Sequence, residues 1–208
     1  MSDLDVIKEI EKIIGEELKP CPPDADIMSY EQRRTYLLKE QQVIGLNIGG
    51  CNLISYDFLK DLPNLILLYL SSNQIKDISF LKDFSKLTRL RLSDNKISDI
   101  SVLKALSNLI ELSLWGNQIR DLPEWLLNLN IPIRLDLGSE NGIFLANNPI
   151  EKPPIEIIEQ GNEAIRAYFE QLRKEGSDMI YEAKLILVGE GGAGKTSLAN
   201  KIRLYMDS

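Results

Sequence analysis

Nine consecutive residues near the end of the chain, Gly189 to Ser197 (GEGGAGKTS), have the types and spacing to hold a phosphate. They fit the pattern G-x-x-x-x-G-K-[ST]. Gly189, Gly191, Gly192 and Gly194 let successive backbone N–H groups curl around an anion without Cβ clashes, while Glu190 and Ala193 complete the arc. Lys195 is placed to reach the outer phosphates of a nucleotide, and Thr196, followed by Ser197, offers its hydroxyl to Mg²⁺. The chain contains no histidine, so the usual general base and the commonest neutral metal ligand are missing, and no residue is assigned a catalytic role. The two cysteines make no disulfide framework: Cys21 stands beside Pro22 and Pro23, and Cys51 reads as a packed structural thiol in an apolar pattern.

A phosphate loop needs a strand to launch it and a helix to receive it. The apolar run KLILV precedes the loop and SLANKI, which can open a helix with its positive end toward the anion, follows it. A complete nucleotide domain also needs partner strands, a second acidic Mg²⁺ ligand, a water-positioning group and base-selecting loops. Twelve residues follow Thr196, too few for those parts. The expectation is therefore that the loop is the first piece of a domain this chain does not contain, that KLILV is an unpaired strand here, and that the chain does not hydrolyse a nucleotide by itself.

What the chain does contain in quantity is a repeat. The pattern L-x-L-x-x-N-x-L recurs as LNIGGCNL, LYLSSNQI, LRLSDNKI, LSLWGNQI and IFLANNPI, with the Asn or Cys at Cys51, Asn73, Asn95, Asn117 and Asn148. The first three intervals are 22 residues and the last is 31. This is a leucine-rich-repeat array: each L-x-L segment is a short strand stacked in parallel on the next, its leucines pointing into one core and its x positions facing a concave surface. The asparagine carries two donors and an acceptor with which to satisfy backbone groups where the chain leaves the strand. The nine extra residues of the last interval fall in IRLDLGSENGIFL, where Asn141-Gly142 signals a hairpin inserted in the terminal repeat.

The ends of such a stack must be covered. Residues 3–18 place Leu4, Ile7, Ile10, Ile14 and Leu18 on one helical face, a capping helix in preference to a membrane anchor because acids outnumber bases there. Over residues 29–48, Ser29-x-x-Gln32 fits a helix start, but TYLL-KEQQ-VIGLNI reads better as a hairpin. Beyond Pro153-Pro154, Ile158, Ile165, Tyr168, Phe169 and Leu172 line one helix that ends at Gly176. The expected fold class is α/β, a leucine-rich-repeat solenoid. Its parts are a cap over 1–42, about five repeats over 43–152, a linker helix over 153–177 and the stump of a P-loop α/β domain over 178–208.

With 31 acidic against 24 basic residues, a net charge of −7 and a pI near 4.8, the composition argues against a nucleic-acid partner. The first ten residues lack the basic start of a signal peptide, and the longest apolar run, LILLYL, is far short of the roughly 20 residues of a membrane span. A soluble cytoplasmic protein is expected.

Repeats, then the helical segment GNEAIRAYFEQLRKEG, then the strand and loop AKLILVGEGGAGKTSL, occur in an order that resembles a bacterial-type Roco protein. The resemblance implies that a Ras-like Roc GTPase domain and a COR dimerisation region follow the repeats, that Glu190 to Ser197 form the Roc phosphate loop, and that Lys195 and Thr196 contact the phosphates and Mg²⁺ of GTP or GDP once the rest of that domain is present. The guanine-specificity and switch motifs are not among these 208 residues. A protein partner is expected on the concave face, the Roc-COR part of the parent protein being one candidate. The residues assigned to that face are the outward strand positions Tyr69, Arg91, Trp115 and Phe144, with Arg89 and Glu111 at its edges; aromatic and arginine side chains are those that dominate interface energy.

Overall fold

The computed structural model describes residues 2–22, 27, 33–53, 56–136 and 141–175. The chain divides into two units, residues 1–171 and 172–208. The first holds the cap and the repeats; of the second, the described residues are the last turn of the final helix. The phosphate loop Gly189–Ser197, the strand KLILV and the helix stop at Gly176 lie outside the described residues, as do Ser29 and Gln32.

The chain opens with helix α1 (Asp3–Ile14). Ser2 caps it reciprocally, its hydroxyl accepting from Asp5 N at 3.3 Å while Asp5 Oδ2 accepts from Ser2 N at 3.0 Å. Gly15, at φ 72°, stops it. The buried stripe is Val6, Ile7 and Ile10 with Ile14 packed beside it. Leu4, expected on that face, is 40% exposed, and Leu18 is buried but lies past the Gly15 stop. The helix ends a turn earlier than the apolar spacing suggested, because glycine takes the left-handed conformation at little cost.

Next come β1 (Lys19–Pro20), β2 (Thr35–Lys39) and β3 (Gln42–Asn47). β2 and β3 form the expected antiparallel hairpin, closed by Glu40 and Gln41, both with positive φ as a two-residue hairpin turn demands. β3 is at once the second hairpin strand and the first strand of the repeat stack, pairing in parallel with β4 (Leu67–Tyr69). β5 (Arg89–Arg91) and β6 (Glu111–Ser113) continue in parallel without register shift. Leu68, Leu90 and Leu112 point inward and are fully buried. Facing them across the core, 3-10 turns at Asp57–Asp61, Ser79–Asp83 and Ser101–Ala105 contribute Leu59, Leu81 and Leu103, also fully buried. Repeats touch on that side too: the rings of Tyr56 and Phe80 stack with centroids 5.1 Å apart.

The asparagine column behaves as its chemistry requires. Asn95 Oδ1 accepts from Ile75 N at 3.0 Å, and Asn95 Nδ2 donates to Leu70 O at 3.1 Å and Leu92 O at 2.9 Å. Asn117 repeats this one turn on, serving Ile97 N, Leu92 O and Leu114 O, and Asn148 serves Ile119 N, Leu114 O and Leu145 O. Each asparagine thus ties its own turn to the preceding one. The residue just before each column position, Gly50, Ser72, Asp94, Gly116 or Asn147, has φ between 52° and 68°, the left-handed step that swings the chain out of the strand.

Two expectations are corrected. The segment around Asn141-Gly142 is no antiparallel hairpin. β7 (Ile133–Arg134) and β8 (Ile143–Phe144) pair in parallel, and β8 sits between β6 and β7, so that the sheet order is β1-β2-β3-β4-β5-β6-β8-β7. Ile143 N donates to Pro132 O at 2.8 Å and Leu145 N to Arg134 O at 2.9 Å. A hairpin signal is local; here the parallel stack outweighs it by burying Ile133 and Ile143 side by side, next to Leu112. Nor is the linker one helix. It is split into α2 (Ile155–Ile158) and α3 (Asn162–Glu175) by Gly161, whose φ of 91° no helix accommodates. The break lets Asn162 act as a further rung: its Oδ1 accepts from Ile133 N at 2.9 Å and its Nδ2 donates to Ile131 O at 2.9 Å. Ile158 and Ile165, both buried, cover the end of the core.

Candidate functional site

Because side chains alternate along a strand, in-register parallel pairing lays the outward residues of successive repeats into ladders. One ladder runs Asn47, Tyr69, Arg91, Ser113, Phe144, Arg134, and the next runs Gly45, Leu67, Arg89, Glu111. Tyr69 and Phe144 are three strands apart, about 14 Å at the usual ~4.8 Å spacing. Gly49 makes room for the tyrosine: a Cβ there would fall 2.6 Å from its ring. Arg91 lies over that ring, its guanidinium carbon 5.9 Å from the centroid.

Arg89 and Glu111, expected at the edges, in fact face each other within the second ladder. The Glu111 carboxylate, whose side chain is 10% exposed, sits between two arginines of the neighbouring strand, 2.6 Å from Arg91 Nε and 3.7 Å from Arg89 Nε. Such a pair is shielded from solvent on one side, so it fixes the Arg91 head rather than merely neutralising it. Trp115 is not a strand residue; it follows β6 by two positions and is half-buried in the turn. Phe144 does face outward on β8, but it is 5% exposed and serves as a wall more than a free anchor.

Between these groups the face holds a depression of about 330 Å³, walled by Tyr69 and Phe144 and lined by Arg33, Arg91, Glu111 and a set of serines. Sequence reasoning missed Arg33, Asp94 and the serines Ser71, Ser93 and Ser113. Part of that signal was available, since Ser71 and Ser93 follow the second leucine of consecutive repeats at the 22-residue period. The Ser93 and Ser113 hydroxyls bond each other at 2.6 Å. Asp94 is open on one side, but burial on the other pushes its carboxyl above the ordinary 3.8. Arg33 arrives from the cap: the chain around it is held by Arg34, which donates to Gly49 O at 2.5 Å and Gly50 O at 3.2 Å and pairs with Glu16 at 2.8 Å.

A larger depression of about 620 Å³, formed by segments that follow the asparagine column, is lined by Trp125, Pro123, Pro149, Asp99 and Arg120, the last paired with Glu151. Cys51 is packed against the core and burial raises its thiol pKa, consistent with a structural role. Among the described residues no group of acidic or cysteine side chains is arranged to hold a metal, and no helix is long and apolar enough to cross a membrane.

Residues 85–130, which carry β5, β6 and the turns between them, match the family model for leucine-rich repeats, described as two copies. No curated protein matches the chain. Among solved structures, an internalin (inlF) from Listeria monocytogenes is 26% identical over 73% of this chain and 45% of its own, with a TM-score of 0.44. A second internalin of that species is 28% identical over 70% of this chain and 55% of its own, with a TM-score of 0.38. The leucine-rich-repeat ectodomain of the receptor kinase SOBIR1 from Arabidopsis thaliana is 21% identical over 74% of this chain and 96% of its own, with a TM-score of 0.46. The match spans about half the length of the two internalins.

Proposed function

We propose that this leucine-rich-repeat chain is a protein-interaction module whose outer sheet face is the binding surface. The observation that carries the reading is the ladder itself: Tyr69, Arg91 and Phe144 stand in one row, with the Arg91 head held by Glu111 and Tyr69 before any partner arrives. Preorganised aromatic and arginine side chains lose little freedom on binding and so contribute most to affinity. The test is retention of protein partners on the immobilised chain, comparing wild type with Tyr69→Ala and Trp115→Ala at matched melting temperature. Loss of a retained partner in both variants is expected; equal retention by all three retires the outer face.

The finer part of the proposal places the module in a Roco-type GTP-binding protein, with the Roc-COR part as a candidate partner. It is supported by the motif Gly189–Ser197 standing after the repeats in the order such proteins use. Lys195 would neutralise phosphate charge and Thr196 would hold Mg²⁺, while hydrolysis would depend on groups outside these 208 residues. Calorimetry with GTP, GDP and ATP in Mg²⁺ tests it. Little or no binding is expected from this chain alone, and micromolar binding abolished by Lys195→Ala would make the chain a nucleotide-binding protein in its own right.

A further inference from the structure

The outer face is selective in its cations. The 208 residues carry a net charge of −7, yet of the eight arginines among the described residues four, Arg33, Arg89, Arg91 and Arg134, stand on the ladders or line the depression between Tyr69 and Phe144. Among the described residues no lysine occupies either ladder or that lining, and two carboxylates, Glu111 and Asp94, accompany the four guanidiniums. Arginine rather than lysine is the choice where a planar carboxylate must be gripped by two parallel N–H bonds. Glu111 occupies the Nε side of Arg91 and Tyr69 lies under its plane, so the head is oriented as well as charged.

A second observation points into the same depression. Ser71 lines it, is 4% exposed, and its Oγ has no hydrogen-bond partner among the described groups. Buried hydroxyls are nearly always paired, and an alanine would fill the same space without the polar atom. A serine kept in that position is explained when a ligand supplies the missing partner. The width of the depression sets the ligand's form: the ~14 Å from Tyr69 to Phe144 is spanned by about four residues of extended chain at ~3.3 Å each, running across the strands.

Resting on the reading of this face as a protein-binding surface, we propose that its occupant is an extended acidic peptide segment of the partner, with one Asp or Glu carboxylate seated against Arg33, Arg91 and the Ser71 hydroxyl. The experiment uses the full chain on a positional-scanning array of synthetic hexapeptides, followed by titration of the best peptide in solution. Selection of Asp or Glu over Asn or Gln at one position is expected. Replacing that acid by its amide, or making Arg91→Gln or Arg33→Gln, should weaken binding by more than about tenfold, the two changes together costing little more than either alone. Ser71→Ala should weaken binding several-fold while the melting temperature stays level or rises, a result that a merely structural serine would not produce. Arg33 lies off the repeat strands, so its variant remains informative if Arg91→Gln disturbs the fold. Selected peptides that are basic or apolar throughout, or whose affinity ignores both arginine variants, overturn the acidic ligand and leave the interaction surface standing. Retention of no peptide above a blank array overturns the acidic segment as well, and the Tyr69 and Trp115 comparison then decides the surface separately.

Discussion

The asparagine column allows a stability prediction to be worked from individual bonds, with Asn95→Ala as the perturbation. Leu70 O accepts from both Asn73 and Asn95, and Leu92 O from both Asn95 and Asn117. Removing Asn95 therefore leaves each carbonyl one amide donor. Ile75 N is different, because its bond to Asn95 Oδ1 lies in a buried site and the alanine returns nothing to it. An orphaned buried donor costs about 1–3 kcal/mol, and weakening two shared acceptors adds roughly 0.5 kcal/mol each, so the expected loss is about 2–4 kcal/mol. For a protein of this size each kcal/mol lowers the melting temperature by roughly 2–4 °C, which gives a fall on the order of 10 °C by calorimetry or circular dichroism. Asn108→Ala is the control: Asn108 also donates to a carbonyl, Ser85 O at 2.7 Å, but in an exposed site where water replaces it. Its effect should stay within about 0.5 kcal/mol. Equal effects of the two substitutions would refute the argument that backbone satisfaction, and not asparagine content, holds the repeats together.

Other outcomes depend on single contacts. Gly116→Ala should destabilise by about 1–2 kcal/mol in a denaturant titration, since Gly116 has φ 67° and a Cβ there would meet Asp94 Oδ1 at 2.7 Å. Because folding raises the Asp94 pKa above 3.8, the neutral form is favoured in the folded state, and that contribution, present below the ordinary value, is lost as pH rises through the folded one. Asp94→Asn, which stays neutral and tolerates a left-handed backbone, should therefore melt higher than wild type at pH 7, with the difference closing by about pH 3. The Asp5 carboxyl is shifted the other way, lowered first by the backbone bond from Ser2 and then by its hydroxyl. Its contribution is present above the ordinary value of 3.8 and disappears as pH falls through the folded pKa, so Ser2→Ala should lower helix α1 stability more at pH 7 than at about pH 2, where only the cap bond from Asp5 N is lost, read by amide exchange of α1.

The repeat core was legible because its signal is local and periodic. Leu68, Leu90 and Leu112 recur at the interval of the strands they occupy, and the column of Asn73, Asn95, Asn117 and Asn148 marks where each strand ends. Stretches where two local signals compete were less readable. Apolar spacing over 3–18 ran through Gly15, whose backbone decided the helix end, and Gly161 did the same in the linker. The Asn141-Gly142 turn pattern spoke for neighbours in sequence, while the pairing was set by strands already stacked. On the outer face, residue types pointed to Tyr69, Arg91 and Phe144. The bond from Glu111 to Arg91 and the approach of Arg33 depend on register and on a hairpin many residues away, and neither is written in spacing.

The exchanged order of β7 and β8 has a kinetic corollary. Ribosomal synthesis delivers Ile133-Arg134 ten residues ahead of Ile143-Phe144, yet the earlier pair occupies the outermost berth and the later one must slot in beside Leu112. β7 pairs with β8 and not with β6, so the earlier dipeptide has no strand to pair with until the later one is in place, and the final repeat cannot pair in the order of its synthesis.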